Sequence, residues 1–197
     1  MGYAGADWLD RHEREREEQP GKALDLIGIR PGMTVADVGA GTGYFALRIA
    51  RRVGPTGKVY ANDIQPKMLE RLSENAQLAK LENIETVLGS EADAKLPENR
   101  MDMIILVDVY HEFSRPQEML RSMRRALKPD GRLVLLEYKK EDPSIPIRPD
   151  HKMFVADAKI EVEAEGYELD KVIDDLPRQH IIFFKKVNGI TAAPAGR

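Results

Sequence analysis

The chain of 197 residues contains no cysteine, which excludes a disulfide framework, a zinc–thiolate site and thiol catalysis together. No apolar run approaches the ~20 residues of a membrane span. The opening Met1-Gly-Tyr-Ala-Gly-Ala-Asp7 has no basic region followed by an apolar stretch. No secretory signal is therefore expected, and the expected location is cytoplasmic. The formal net charge of −3 offers no global basic field, so no nucleic-acid partner is expected. There is no internal repeat, and the length suits one sizeable core rather than two ordinary domains.

What the chain does have is Val35-Ala-Asp37-Val-Gly39-Ala40-Gly41-Thr-Gly43-Tyr44, an apolar strand that ends in an acid and three alternate glycines. Glycines there let a tight turn run from strand to helix with backbone against a ligand, which a Cβ would obstruct. Phe45, Ala46, Ile49, Ala50 and Val53 follow at helical spacing. Strand, glycine turn and helix form the unit with which open α/β sheets bind nucleotides. A dinucleotide fingerprint runs G-x-G-x-x-G/A; here the third glycine comes one residue early and Tyr44 fills the small-residue slot. The D-x-G-x-G-x-G pattern instead resembles motif I of the class I S-adenosylmethionine (SAM) methyltransferases. That resemblance implies SAM as cofactor, with Asp37, Gly39, Ala40, Gly41, Gly43 and Tyr44 around its amino acid part.

A second strand, Lys58 to Asp63, follows the turn signal Gly54-Pro-Thr-Gly57. Asp63 ends it, roughly twenty residues beyond the glycine turn, where an acid can accept both ribose hydroxyls. Asp63 can equally cap the helix that begins near Pro66, and the two roles are compatible. By the resemblance, Ile64 packs on adenine.

Strand and helix then alternate as a doubly wound sheet requires. Met68, Leu69, Leu72, Ala76 and Ala79 share a helix face; Ile84–Leu88 is a third strand. The almost continuously apolar Met101–Val109 reads as a central parallel strand. Ser114 and Gln117 form a capping-box pattern, with Pro116 in the first turn and Met119, Leu120, Met123 and Leu127 toward the core. Lys128-Pro-Asp-Gly131 ends that helix before a fifth strand, Arg132–Tyr138. Another helix is expected over about 152–165. Strands Tyr167–Asp174 and His180–Lys186 are separated by only five residues, Asp175–Gln179. A parallel crossover needs a dozen or more, so these two strands form an antiparallel hairpin. The expected fold is α/β, a Rossmann-like doubly wound sheet of seven strands. The resemblance, which covers about Lys22 to Val187, implies the order 3-2-1-4-5-7-6 with the last strand antiparallel.

The domain boundaries follow. Residues 1–30 form an N-terminal helical segment, 31–187 the SAM-dependent domain, and 188–197, rich in Gly, Ala and Pro, a frayed tail. Arg11–Glu18 is a mixed-charge run expected on a solvated helix surface. Trp8, the only tryptophan, anchors a helix or touches substrate. The resemblance makes this segment a lid or substrate wall.

The remaining candidates lie at the same sheet edge. The segment Gly89-Ser-Glu91-Ala92-Asp93 is where the family places an acid near the adenine amino group, and Glu91 is preferred to Asp93. Val107 and Asp108 would offer backbone to the methionine part, although Asp108 can also cap its strand. Tyr110 and His111 follow in the loop that the family brings to the transferred methyl. His111, with an ordinary pKa near 6.5, is the candidate catalytic base if the acceptor must lose a proton; otherwise it lines the pocket. Glu137, Arg148 and His151, around a proline-stiffened loop, are candidate acceptor contacts. No D…D-N triad of the catechol type is present, so no metal is expected. The absence of cysteine removes arsenite methylation.

The motifs are closest to small bacterial methyltransferases, including the quinone-biosynthesis C-methyltransferases. The expected function is SAM-dependent methyl transfer to a small-molecule acceptor. A SAM-binding regulatory protein without turnover is the alternative from another class. A nicotinamide oxidoreductase is opposed by the glycine spacing and the terminal hairpin.

Overall fold

The computed structural model describes residue 11 and residues 13–188; Trp8 and the tail beyond Asn188 lie outside them. Two short helices, α1 (Glu13–Glu17) and α2 (Pro20–Ile27), precede the sheet. Then come β1 (Thr34–Val38), α3 (Tyr44–Val53), β2 (Lys58–Asp63), α4 (Pro66–Leu78), β3 (Ile84–Leu88) and β4 (Met101–Val107). After them follow α5 (Pro116–Ala126), β5 (Leu127–Tyr138), α6 (Val155–Glu163), β6 (Tyr167–Ile173) and β7 (Gln179–Lys186). Single 3₁₀ turns cover Tyr110–Glu112 and Pro149–His151.

The seven strands form one sheet in the order β3-β2-β1-β4-β5-β7-β6. β1 to β5 pair in parallel, and β7 is antiparallel to both β5 and β6. The expected fold and terminal hairpin are both present. Period-two alternation divides the core between the faces. Val35, Ile105, Val134, Ile181 and Phe183 pack with α2 and α3, whereas Ala36, Ile104, Leu133, Leu135 and Phe184 pack with α5 and α6. Burial of each large apolar side chain in these layers contributes about 1.5–3 kcal/mol. The parallel order brings the carboxyl ends of β1, β2 and β4 to one edge.

Local departures from the sequence expectations have identifiable causes. The capping box does not form. Arg115 is the α5 N-cap without a side-chain cap bond, Ser114 Oγ turns to Glu91, and Arg115 pairs with Glu118. β5 begins at Leu127 rather than after Gly131, because Leu127 still pairs with Met101 before the register shifts to Arg132 against Met103. Gly131 makes that bulge possible, since a Cβ there would stand 2.8 Å from the Met101 carbonyl oxygen. α6 starts at Val155, not near 152. Lys152 is drawn into hydrogen bonds with the Asp142 and Ile145 carbonyls, and Met153 N–H donates to Tyr138 O.

The charged run before the sheet is solvated only in part: Glu13, Glu15 and Arg16 are exposed, but two of its charges are not. Arg14 and Glu18 are 4% and 1% exposed. Glu18 accepts hydrogen bonds from Arg11 (2.8 Å), Arg14 (2.5 Å) and the Tyr138 hydroxyl (2.8 Å). A buried carboxylate needs such partners, and they tie α1 to the end of β5.

Candidate active site

A cavity of about 560 Å³ opens at the carboxyl edge of the sheet. Its floor is the glycine turn. Gly39 and Ala40 N–H both donate to Asn62 O at 2.9 Å, so the turn is bolted to the end of β2. Gly39 has φ +77°, and a Cβ on it would lie 2.5 Å from Val109 Cγ1. The turn therefore requires glycine for conformation and for the close approach of the β4 loop. Gly43 is the α3 N-cap at φ +93°.

Asp37, 2% exposed, lines this cavity. Burial pushes its carboxyl up to about 7, with Arg14 pulling it down and Asp63 pushing it further up. Its Oδ2 is buried without a hydrogen-bond partner among the described residues. Such an atom at a cavity wall asks for a ligand donor. Asp63 accepts the Gly41 N–H through Oδ2 and the Gln65 N–H through Oδ1, each at 2.9 Å. It thus organises the glycine turn and the start of α4 together, and the remaining lone pairs of its two oxygens stay available to ligand hydroxyls. Ile64, 52% exposed, Glu91, Val107 and Asp108 also line the cavity.

Asp108 has φ +51°, unusual for a residue with a Cβ. Gln179 Nε2 reaches both its carboxylate oxygens, at 3.0 and 2.8 Å, and Arg14 lies 3.9 Å away. Burial raises its pKa well above the ordinary carboxylate value, and the charges of Glu137 and Glu18 add to the rise. Tyr44 is half-buried beneath two guanidiniums, with Arg48 3.8 Å and Arg14 4.3 Å from its ring centroid. Its hydroxyl donates to Glu15 at 2.8 Å.

The loop after β4 carries His111, whose imidazole is 8% exposed. Its Nδ1 is 2.7 Å from Glu137 Oε2 and its Nε2 is 3.1 Å from His151 Nδ1. A carboxylate only accepts, so the Nδ1 proton faces Glu137 and the Nε2 lone pair faces the cavity side. Burial alone would lower the His111 pKa; the hydrogen bond and charge of Glu137 outweigh it, and the net direction is up. The loop holding Arg148 and His151 meets this one across the cavity.

Several expected contacts have other roles. Glu137 is fully buried and does not line the cavity; it stands behind His111. Tyr110 is 2% exposed, and its hydroxyl donates to Glu161 at 3.0 Å, so it belongs to the core. Ala92 and Gly43 do not line the cavity. Arg148 does, but its guanidinium is engaged by Asp150. Asp93 is occupied by Ser122 Oγ and Lys95 N–H. Arg14, Asn62, Tyr138 and Gln179 escaped the sequence reading. Only the i,i+4 spacing of Arg14 and Glu18 hinted at one of them.

A glycine turn above a buried acid, a second acid at the end of β2, and this strand order define a SAM-binding α/β domain. The methyltransferase domain family matches residues 29–177. The ubiquinone/menaquinone biosynthesis C-methyltransferase UbiE of Escherichia fergusonii is 36% identical over 118 residues, covering 59% of this chain and 47% of the relative. The chain thus spans about half the length of the curated relatives it matches. A SAM-dependent methyltransferase from Aquifex aeolicus superposes with TM-score 0.87 at 28% identity, over 93% of this chain and 98% of that one. A type 11 methyltransferase fold from Sulfolobus solfataricus gives TM-score 0.72 at 20% identity, over 92% and 99%. The chain belongs to the class I SAM-dependent methyltransferase family, and its cofactor is SAM.

Proposed function

We propose that this protein methylates a small hydroxylated aromatic acceptor, related to a quinone, at a ring carbon. The observation that carries the reading is the His111–Glu137 pair, set in the same cavity as the unpartnered oxygen of Asp37. A cofactor acid and a proton-handling histidine share one chamber. The similarity to UbiE, a C-methyltransferase of ubiquinone and menaquinone biosynthesis, supports the acceptor class.

Bound SAM supplies an electrophilic methyl on a cationic sulfur, which becomes neutral S-adenosylhomocysteine once a nucleophile takes the methyl. Asp37 would hold the ammonium and Asp63 the ribose hydroxyls, Ile64 and Glu91 would border the adenine, and Val107 and Asp108 the methionine part; all of them line the cavity. Phe113, Met119 and Ile147 contribute apolar wall for a ring. His111 handles the acceptor's hydroxyl proton, which makes the neighbouring ring carbon electron-rich. One proton is released per methyl transferred, and His151 and Arg148 border the acceptor. The N-terminal segment acts as a lid through Arg14, and a cytoplasmic location belongs to the same reading.

The test is incubation with SAM and a panel of hydroxylated quinols, phenols and naphthols. S-adenosylhomocysteine release and a methyl on carbon, located by mass spectrometry and NMR, are expected. SAM binding without S-adenosylhomocysteine from any of them would favour the non-catalytic alternative.

A further inference from the structure

His111, Glu112 and His151 bring two ring nitrogens and a carboxylate together at the mouth of two loops. His111 Nε2 and His151 Nδ1 are 3.1 Å apart. Glu112 Oε1 lies 4.0 Å from the first and 3.9 Å from the second. Ligand atoms adjacent on one ion, with bonds of about 2.0–2.2 Å, sit roughly 3.0–3.4 Å from one another. The two nitrogens already have that separation. The Glu112 carboxylate, 31% exposed, needs to swing in by roughly an ångström or less to complete the set.

We infer that His111 Nε2, His151 Nδ1 and Glu112 bind one divalent first-row transition cation. Three further observations favour a metal over a plain hydrogen bond between two histidines. The imidazole planes meet at 88°, so both in-plane lone pairs can converge on one point without stacking the rings. Glu137 holds His111 Nδ1 from behind at 2.7 Å, which fixes the tautomer that exposes Nε2. A carboxylate on the far nitrogen is the usual companion of a metal-bound histidine and raises its basicity as a ligand. All three ligand residues line the cavity, so the remaining coordination positions face space that a substrate oxygen can enter. Two imidazoles and one carboxylate suit zinc, iron or cobalt, whereas magnesium and calcium prefer all-oxygen shells. This reverses the sequence expectation of a metal-free site. That expectation weighed only a different, acidic triad, and these ligands come from loops 40 residues apart.

The consequence rests on the acceptor reading above. A hydroxyl bound to the cation loses its proton to solvent at lower pH than a free one, so His111 would act as a ligand and the ion would ionise the acceptor.

The experiment titrates the full chain, stripped by a chelator, with Co²⁺ and follows the visible ligand-field bands, then displaces it with Zn²⁺. One equivalent is expected. Affinity should fall at least about tenfold in Glu112→Gln and further in His151→Ala, comparable to or beyond losses at supporting residues of metal sites. Both changed side chains are partly exposed, and an unchanged circular dichroism spectrum verifies the fold. Absence of bands at one equivalent, or the same affinity in both variants, would overturn the site. Unchanged turnover in the stripped enzyme would overturn ionisation through the cation and leave His111 as a direct base. Calorimetry of SAM on the stripped protein tests the methyltransferase reading separately, since the cofactor groups are other residues.

Discussion

Glu137 stands directly behind His111, its Oε2 2.7 Å from Nδ1, while its Oε1 accepts the backbone N–H groups of Val109 (3.1 Å) and Tyr110 (2.8 Å). One carboxylate therefore sets both the path of the loop after β4 and the direction of the ring. β5 delivers it, and His180 pairs with it across the sheet on β7.

The first prediction follows from that double duty. In Glu137→Gln the amide turns its NH₂ either toward the two backbone donors or toward His111 Nδ1, where it is matched only if the ring changes tautomer. Stability should fall by about 1–3 kcal/mol, the cost of leaving a buried polar group unmatched. Turnover should fall by about 10²-fold or more, while SAM affinity falls less than turnover, because the Asp37 and Asp63 contacts do not involve Glu137. Urea denaturation, steady-state kinetics and calorimetry measure the three quantities. An unchanged kcat would remove the pair from the chemistry.

How much of this was legible in the sequence divides along local and long-range lines. The glycine turn, the alternation of strand and helix and the terminal hairpin all depend on neighbours in the chain, and sequence and structure agree on them. Asp37 and Asp63 lie at the ends of β1 and β2 and His111 in the turn after β4, places where position alone marks a candidate. The partners of those residues were not legible. Tyr138 meets Glu18 across 120 residues, and Gln179 meets Asp108 across 71. Nothing local distinguishes a buried Arg14 from its exposed neighbour Glu15. The mixed charges suggested solvent, and tertiary packing overrode the suggestion. Glu137 is an expected contact because it lies at the carboxyl edge of the sheet; register turns it inward to brace the loop.

A second prediction concerns pH. Burial holds the Asp37 carboxyl near 7, whereas in the unfolded chain it releases its proton near 3.8. Between those values the folded protein without ligand binds more protons than the unfolded chain. The contribution of this group to stability is therefore intact below the lower value and lost as pH rises to about 7. Binding of the SAM ammonium requires the ionised form. SAM affinity should weaken as pH falls below about 7, by up to about tenfold per unit. Calorimetry from pH 6 to 8 checks this, with Asp37→Asn expected to bind more weakly and to flatten the dependence. A wild-type affinity independent of pH would place the ammonium elsewhere.

Asp63 supports a third prediction that separates structure from recognition. Because it accepts Gly41 and Gln65 N–H groups, Asp63→Ala should lose some stability as well as SAM affinity, the latter by about 1.5–3 kcal/mol. The discriminating ligand is a SAM analogue lacking the ribose hydroxyls. It should bind wild type more weakly than SAM does, yet bind the variant about as well as SAM does, since the interaction is already gone. Equal penalties for the analogue in both proteins would confine Asp63 to holding the turn.

The last prediction concerns the hold of α1 on the cavity. Arg14 lines the cavity, lies over Tyr44 and bonds to Glu18, which the Tyr138 hydroxyl also reaches. Removing one partner of a buried ion pair leaves the other charge desolvated, a cost of about 3–5 kcal/mol when nothing moves. Here something can move, because α1 is only five residues long and lies outside the sheet. In Glu18→Ala, Arg14 keeps Asp108 at 3.9 Å but loses its 2.5 Å partner, so α1 should release more readily and carry Arg14 toward water. Trypsin should then cut at Arg14 or Arg16 at least about tenfold faster, as expected for a segment that opens locally while the core stays folded. The urea midpoint of the core should change little, and SAM should dissociate faster because Arg14 no longer closes that side of the cavity. Tyr138→Phe, which keeps both arginine partners of Glu18, should show a smaller effect of about 1 kcal/mol. Wild-type rates of cleavage and of SAM release in Glu18→Ala would show that α1 does not gate the cofactor.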